Sequence, residues 1–294
     1  MNLAVPTRPL TRLPAAVERE ADPNAPIRPG RPSSPVLPLL TRSMSLLTLL
    51  LQDGAVDLEL AGAVIGLDPG LAFGTLQLAN RERVEGDDPV WQLPLAVVAA
   101  GREALQQLLQ RAPRIECGGN TGKQTRLCKL VANAAARASV AHLLARELGS
   151  STPRKSYLSG LLFELPAIVR LGAPQVSQAV LLSSMCRTLP AAMVRAAMVG
   201  MADDGEEPPS DALLAIVLIA DAVLAAETEP SSQTASLEEL AASPLWHCWT
   251  ATDAQQRKFL LGQCCEMARW ARANLHDMDP WEFMARLERR NPWE

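Results

Sequence analysis

Apolar residues recur at three- and four-residue steps through most of the chain, which is the spacing of one face of an α-helix. Asp53-Gly54 ends the first such segment, whose apolar residues share one face: Leu39, Leu40, Met44, Leu47 and Leu51. Later segments repeat this spacing, and no stretch shows a convincing strand pattern. The pattern therefore predicts an all-α fold.

Start signals divide the pattern into separate helices. Asp57 and Asp68-Pro69 each predict a helix start, because an aspartate side chain can accept from free amides and proline suits the first turn. A single helix is predicted from Pro94 to Leu109. The longest candidate is Gln124–Leu148, and its many alanines predict close helix–helix contact.

Composition divides the chain into three parts. Residues 1–35 are rich in proline and predict a flexible leader. Residues 36–226 predict a multi-helix bundle. Residues 227–294 predict a C-terminal helical extension packed on that bundle, because they carry five of the six tryptophans, namely Trp246, Trp249, Trp270, Trp281 and Trp293.

Charge, hydropathy and cysteine content narrow the class of protein. A net charge of −4 gives no basic footprint for nucleic acid. No apolar run is long enough to predict a membrane span. The six cysteines form no C-x-x-C pair, which favours reduced thiols and a cytoplasmic location: Cys117, Cys128, Cys186, Cys248, Cys264 and Cys265.

Three short motifs follow one another in a familiar order. They are Leu37-Pro38, Leu67-Asp68-Pro69-Gly70-Leu71 and Leu76-Gln77-Leu78-Ala79-Asn80. In this order they resemble the N-terminal half of the HDOD domain, a bacterial signalling module related to the HD phosphohydrolases. The resemblance covers roughly residues 36–226 and implies an HD-like helical bundle. It assigns structural roles to Asp68, Pro69 and Asn80.

The same resemblance identifies where catalytic residues are missing. An HD phosphohydrolase holds metal with an upstream His, a His-Asp pair and a downstream Asp. Here Phe163-Glu164 stands at the pair, Asp221 resembles the downstream ligand, and the expected upstream position, in 130–133, holds no His. The resemblance therefore implies no enzymatic activity and no metal or other cofactor, with Phe163, Glu164 and Asp221 as vestigial positions.

Two further groups of residues mimic functional sites. Gly118, Gly119, Gly122 and Lys123 fall one residue short of a phosphate-binding loop, so a flexible loop is the favoured interpretation. His276-Asp277 is a literal His-Asp pair near the C-terminus. With His247, Cys248, Cys264 and Cys265 it matches no zinc spacing, and packing or capping roles are favoured.

The favoured function is therefore a non-catalytic regulatory protein that acts on another signalling protein. One alternative is a degenerate pocket that binds a nucleotide through Arg126, Lys129 and Arg137, but the favoured interpretation is that these residues form the solvated side of the long helix. A metal-dependent phosphohydrolase is less favoured. Candidate partner surfaces are the tryptophan-rich C-terminal segment and an acidic loop containing Asp203, Asp204, Glu206 and Glu207. Oligomeric state and the identity of the partner stay open.

Overall fold

The computed structural model describes most of the chain after the proline-rich leader. The described residues are 35–52, 56–84, 87–118, 121–149, 152–198, 211–228, 233–249 and 252–288. The predicted leader up to residue 34, the acidic loop and Trp293 lie outside them.

Helices account for 77% of the described residues, as the apolar pattern predicts, and the all-α class is confirmed. The first five helices are α1 (Thr41–Gln52), α2 (Leu58–Gly66), α3 (Pro69–Ala79), α4 (Leu93–Ala100) and α5 (Arg102–Arg111). The next five are α6 (Gly122–Glu147), α7 (Pro153–Leu162), α8 (Leu165–Gly172), α9 (Gln178–Thr188) and α10 (Ala191–Met198). The last four are α11 (Ala212–Thr228), α12 (Gln233–Ala242), α13 (Ala254–Asn274) and α14 (Pro280–Glu288), with a 3₁₀ helix at Pro244–Trp249.

The single helix predicted from Pro94 to Leu109 is wrong. Gly101 adopts a φ of 77°, a left-handed conformation that glycine reaches without a Cβ clash, and it separates α4 from α5. Leu95, expected in the buried stripe, is 54% exposed because the two helices turn different faces to the core. The periodicity continues across the break and conceals it.

One short parallel strand pair departs from the purely helical expectation. Strand β1 (Leu39–Leu40) pairs with β2 (Arg114–Ile115). The buried carboxylate of Asp68 accepts from the backbone N–H of Leu40 at 2.6 Å and from that of Leu71 at 3.0 Å. Asp68 therefore caps α3 and fixes β1 at the same time.

The side chain of Asn80 holds a second junction. Its Nδ2 donates to the carbonyls of Leu76 at 2.9 Å and Val90 at 2.8 Å, while its Oδ1 accepts from the Val90 N–H at 2.8 Å. These bonds join the end of α3 to the segment that leads into α4. The D-P and L-A-N motifs thus have structural roles in this fold.

Helix α6 is the centre of the bundle and packs against α7, α8, α11, α13 and α14. Its buried face is rich in alanine, which lets backbones approach closely. At Gly160 of α7, an added Cβ would lie 3.0 Å from the Cα of Ala138, so these two helices meet backbone to backbone. The alanine-rich sequence correctly predicts this close contact.

The C-terminal helices share the core of the preceding ones. Trp246 is fully buried and donates through Nε1 to the Leu240 carbonyl at 2.8 Å. Trp270 stacks on Phe283 at 4.8 Å. Arg42 of α1 donates to three carbonyls beyond α13, those of Leu275, His276 and Met278. The C-terminal helices therefore pack on the preceding ones, and their division from residues 36–226 as a separate extension stays a prediction.

Within the described residues, no helix combines the length and apolar character needed to span a membrane.

Candidate functional site

The residues at the expected His-Asp position lie in the turn between two helices. Phe163 directly follows the last residue of α7, and Glu164 directly precedes the first residue of α8. Asp221 comes from the middle of α11, which packs on α6 and α7. The fold brings all three positions to one side of α6, where they face a single side chain, that of Arg137.

Arg137 binds both vestigial carboxylates. Its Nη1 donates to Glu164 Oε1 at 3.0 Å, and its Nε and Nη2 donate to Asp221 Oδ1 at 3.0 and 2.5 Å. The guanidinium carbon also lies 4.3 Å from the centre of the Phe163 ring, within range of a cation–π contact. One arginine thus contacts all three residues that the sequence singles out.

Burial makes this cluster an internal ion-pair network. The Arg137 side chain is 5% exposed and that of Glu164 is 14% exposed, whereas Asp221 is 40% exposed. A guanidinium stays protonated in proteins and offers only donors, so it cannot act as a metal ligand. A divalent cation here would have to displace it or lie beside its positive charge. These residues therefore do not fit a metal site.

A second arginine lies on the same side of α6. Arg272 of α13 donates through Nε to Asn133 Oδ1 at 3.1 Å, one turn before Arg137. Partial burial lowers the pKa of Arg272, Glu227 raises it, and Arg137 lowers it further. Asn133 belongs to the segment expected to hold the upstream ligand. The α6 residue that contacts the two carboxylates is Arg137, one turn further along the helix.

The basic group predicted for a nucleotide pocket is not assembled. Arg126 and Lys129 are exposed, whereas Arg137 is buried in its ion pairs. Lys129 lies eight residues before Arg137, about 12 Å along the axis of α6. Arg126 and Lys129 therefore lie on the solvated part of α6, whereas Arg137 lies in its buried part, so the three residues do not face one pocket.

The C-terminal His-Asp pair serves local packing. The carbonyl of His276 accepts from Arg42, and Cys264 and Cys265 are buried in α13. In the part of the chain that the structure describes, no three His, Cys, Asp or Glu residues are grouped so that they could hold a metal ion.

The glycine-rich segment before α6 contains an unexpected covalent link. Cys117 and Cys128 form a disulfide across a separation of 11 residues. Thr121 caps α6 by accepting from the Gln124 N–H at 3.3 Å, and Gly122 is the first helical residue. The expectation of reduced thiols throughout is wrong for this pair. The spacing of 11 residues matched no familiar signature, but the helix start at Gly122 places Cys128 close to the loop.

Comparisons with known proteins agree with this architecture. A family model described as the HDOD domain matches residues 37–202. A solved structure of the MmoQ response regulator from Methylococcus capsulatus str. Bath is 16% identical, with a TM-score of 0.51 over 86% of this chain and 98% of that chain. A fragment of the same regulator, residues 20–298, is 17% identical, with a TM-score of 0.47 over 84% and 94%. A search of the curated proteins finds no match.

The similarity to the solved structures concerns the fold alone at this level of identity. The family match covers more than half of the chain and includes the motifs around Asp68 and Asn80. The resemblance seen in the sequence is confirmed: this chain belongs to the HDOD domain family.

Proposed function

We propose that this protein is a non-catalytic regulator in bacterial signal transduction that acts by binding another protein. The observation that carries the proposal is the pairing of Arg137 with both Glu164 and Asp221. In a catalytic relative these positions would hold a metal ion and activate water. Here a permanent cation occupies the space between the carboxylates, so these positions are left with a structural role.

Membership of the HDOD family supports a role in signalling. The similar solved structure is described as a response regulator, which is a property of that protein, and the shared fold makes a regulatory role the simplest proposal here. A nucleotide-binding role has less support, because Arg126 and Lys129 are exposed and Arg137 is held by two carboxylates.

Metal analysis of the purified full chain tests the non-catalytic part. We expect no stoichiometric iron, manganese or zinc, and no hydrolysis of nucleotides or cyclic dinucleotides when these metals are added. Glu164→Ala and Asp221→Ala provide the matched variants. Stoichiometric metal in the wild type that is lost in either variant would overturn the proposal.

Reconstitution with purified components tests the protein-binding part. The full chain is used to capture partners from a bacterial lysate, and each captured protein is then purified and titrated against it by calorimetry. Saturable one-to-one or two-to-one binding supports the proposal. Absence of binding by every purified candidate, with the HDOD protein folded by circular dichroism, counts against it.

We also propose a cytoplasmic location, and the Cys117–Cys128 pair provides its test. Disulfides are rare in that compartment except as transient or redox-sensing links. The folded protein can form this disulfide, but in a reducing compartment rapid acid quenching of cells followed by thiol labelling should find Cys117 and Cys128 largely as thiols, with the disulfide forming only on oxidation. A fully oxidised pair in growing cells would contradict a cytoplasmic location.

A further inference from the structure

A cavity of about 530 Å³ lies on the other side of α6 from the Arg137 cluster. It is open to solvent on one side and is lined by residues of α2, α4, α7 and α14, with His142 of α6 in its wall. His142 follows Arg137 by five residues, which turns it about 140° around the helix axis. A second cavity of about 470 Å³ shares part of this wall, including Trp91, His142 and Arg154. The volume of the first cavity falls within the range typical of sites for small molecules.

Aromatic side chains from three separate segments line this cavity. Trp91 precedes α4, Tyr157 belongs to α7 and Trp281 to α14, and both tryptophans are partly exposed. The Tyr157 hydroxyl already donates to the Gly66 carbonyl at 3.0 Å, so this residue contributes mainly its ring. Offset stacking and edge contacts with such rings favour a planar aromatic ligand.

His142 supplies a specific polar position. It is 5% exposed, and its Nδ1 is buried without a hydrogen-bond partner among the described residues. Burial lowers the pKa of His142 to about 4, so the ring is neutral at physiological pH. A neutral imidazole has one N–H and one acceptor nitrogen, and Nδ1 is the nitrogen found without a partner, so we take Nδ1 as the acceptor. An acceptor of this kind requires a ligand with an N–H or O–H donor.

The charges around the cavity set the sign of the ligand. Glu59 and Glu288 are acidic, Arg154 is basic, and Arg154 pairs with Glu288 at 3.0 Å. With His142 neutral, two negative charges and one positive charge leave a formal charge of −1. This balance disfavours phosphates and carboxylates and favours neutral or cationic molecules.

We propose that this cavity is a binding site for a small aromatic molecule, neutral or singly positive, that stacks on its tryptophans and donates a hydrogen bond to His142. The site goes beyond the proposed regulatory function and does not depend on it. Its wall combines α2 and α4 with α14, so a bound ligand would hold the C-terminal helix against the family-matching region. Binding would therefore stabilise the closed arrangement of these elements.

Tryptophan fluorescence and thermal shift on the full chain test this site with defined probes. Indole and quinoline represent neutral aromatics, benzamidine represents a cation, and indole-3-acetate and AMP represent anions. We expect saturable quenching and an increase in Tm with at least one neutral or cationic probe, and binding at least tenfold weaker for the anions. Failure of every neutral and cationic probe, or preferential binding of an anion, would overturn the proposal.

Two variants and a matched control locate the binding. Ala285→Phe fills the cavity from a partly exposed position of α14 and should weaken binding at least tenfold. His142→Leu removes the acceptor. It should weaken the binding of indole, which has an N–H donor, more than the binding of quinoline, which has no donor. Ala167→Phe is the matched control: it makes the same alanine-to-phenylalanine change at a partly exposed position of α8 that lies outside the cavity. This variant should bind the probes as the wild type does. Equal loss in Ala167→Phe, or no loss in Ala285→Phe, would sink the assignment.

Discussion

Asp221 of α11 accepts two hydrogen bonds from Arg137 of α6, at 3.0 Å from Nε and 2.5 Å from Nη2. Removing the guanidinium would leave Asp221 and the largely buried Glu164 as unpaired like charges. Arg137→Met should therefore lower the free energy of unfolding by about 3 kcal/mol or more, measured by urea denaturation at pH 7.

The control for this prediction removes all three charges together. The triple variant Arg137→Met, Glu164→Gln, Asp221→Asn keeps similar side-chain volumes and should recover most of the lost stability. If Arg137→Met alone matches the wild type, the ion pairs contribute little and the cluster is not the structural centre described above.

The close contact between α6 and α7 can be tested by adding a Cβ at Gly160. Gly160→Ala should lower the free energy of unfolding by about 1–3 kcal/mol, because its Cβ would lie 3.0–3.1 Å from the α6 backbone. Gly262→Ala is the matched control in α13, where an added Cβ meets nothing within 4 Å. That control should be neutral or stabilising by up to about 1 kcal/mol. Equal effects of both substitutions in chemical denaturation would contradict the close helix contact.

His142 should make the fold less stable in acid. Burial lowers its pKa to about 4 from 6.5, so its contribution is complete above pH 6.5 and is lost as the pH falls towards 4. Between pH 7 and pH 4 the wild type should lose up to about 3 kcal/mol more than His142→Leu. Urea denaturation of both proteins across this range measures the difference, and parallel pH profiles would refute it.

Asp68 should change the stability of the fold with pH in the direction opposite to His142, over nearly the same pH range. Burial raises its pKa from 3.8 to about 6, against the lowering effect of hydrogen bonds from Leu71, Leu40 and Gly70. Its contribution is therefore complete below pH 3.8 and is lost as the pH rises through about 6. The stability advantage of wild type over Asp68→Asn should shrink by about 2 kcal/mol from pH 4 to pH 7. An advantage that grows with pH would show that the hydrogen bonds outweigh burial.

The Cys117–Cys128 disulfide should stabilise the fold because it lowers the conformational entropy of the unfolded chain. A loop of this size is worth about 3 kcal/mol in the chain-entropy model. Reduction with dithiothreitol, or the substitution Cys117→Ser, should lower the free energy of unfolding by about this amount, measured by chemical denaturation. Cys186→Ser, which changes an exposed free thiol, is the control and should have little effect.

The sequence predicted the fold well because its signals are local. Asp57 and Asp68 cap helices through bonds to residues three positions later, and such spacing can be read along the chain. The break at Gly101 was missed because the apolar period continues through it. The β1–β2 pair was missed because two residues carry no periodicity and their pairing spans 75 positions, from Leu39 to Arg114.

The candidate site was only partly predictable. Phe163, Glu164 and Asp221 were located by resemblance, but the residue that joins them was assigned to a solvent-facing or nucleotide-binding group with Arg126 and Lys129. Arg137 pairs with partners 27 and 84 residues away, and Arg272 reaches Asn133 across 139 residues. Charge complementarity over such separations appears only after the helices are assembled.

The hydrogen bonds from Arg42 to three carbonyls near the C-terminal helix also limit how early the protein can complete its fold during synthesis. Arg42 precedes the nearest of them, Leu275, by 233 residues. At about 5–20 residues per second, synthesis of that interval takes roughly 12–47 s. Because α13 is completed 127 residues after the end of α6, the alanine-rich face of α6 that α13 covers remains without its partner for roughly 6–25 s of this time. The nascent chain should therefore depend on chaperones until its last helices emerge.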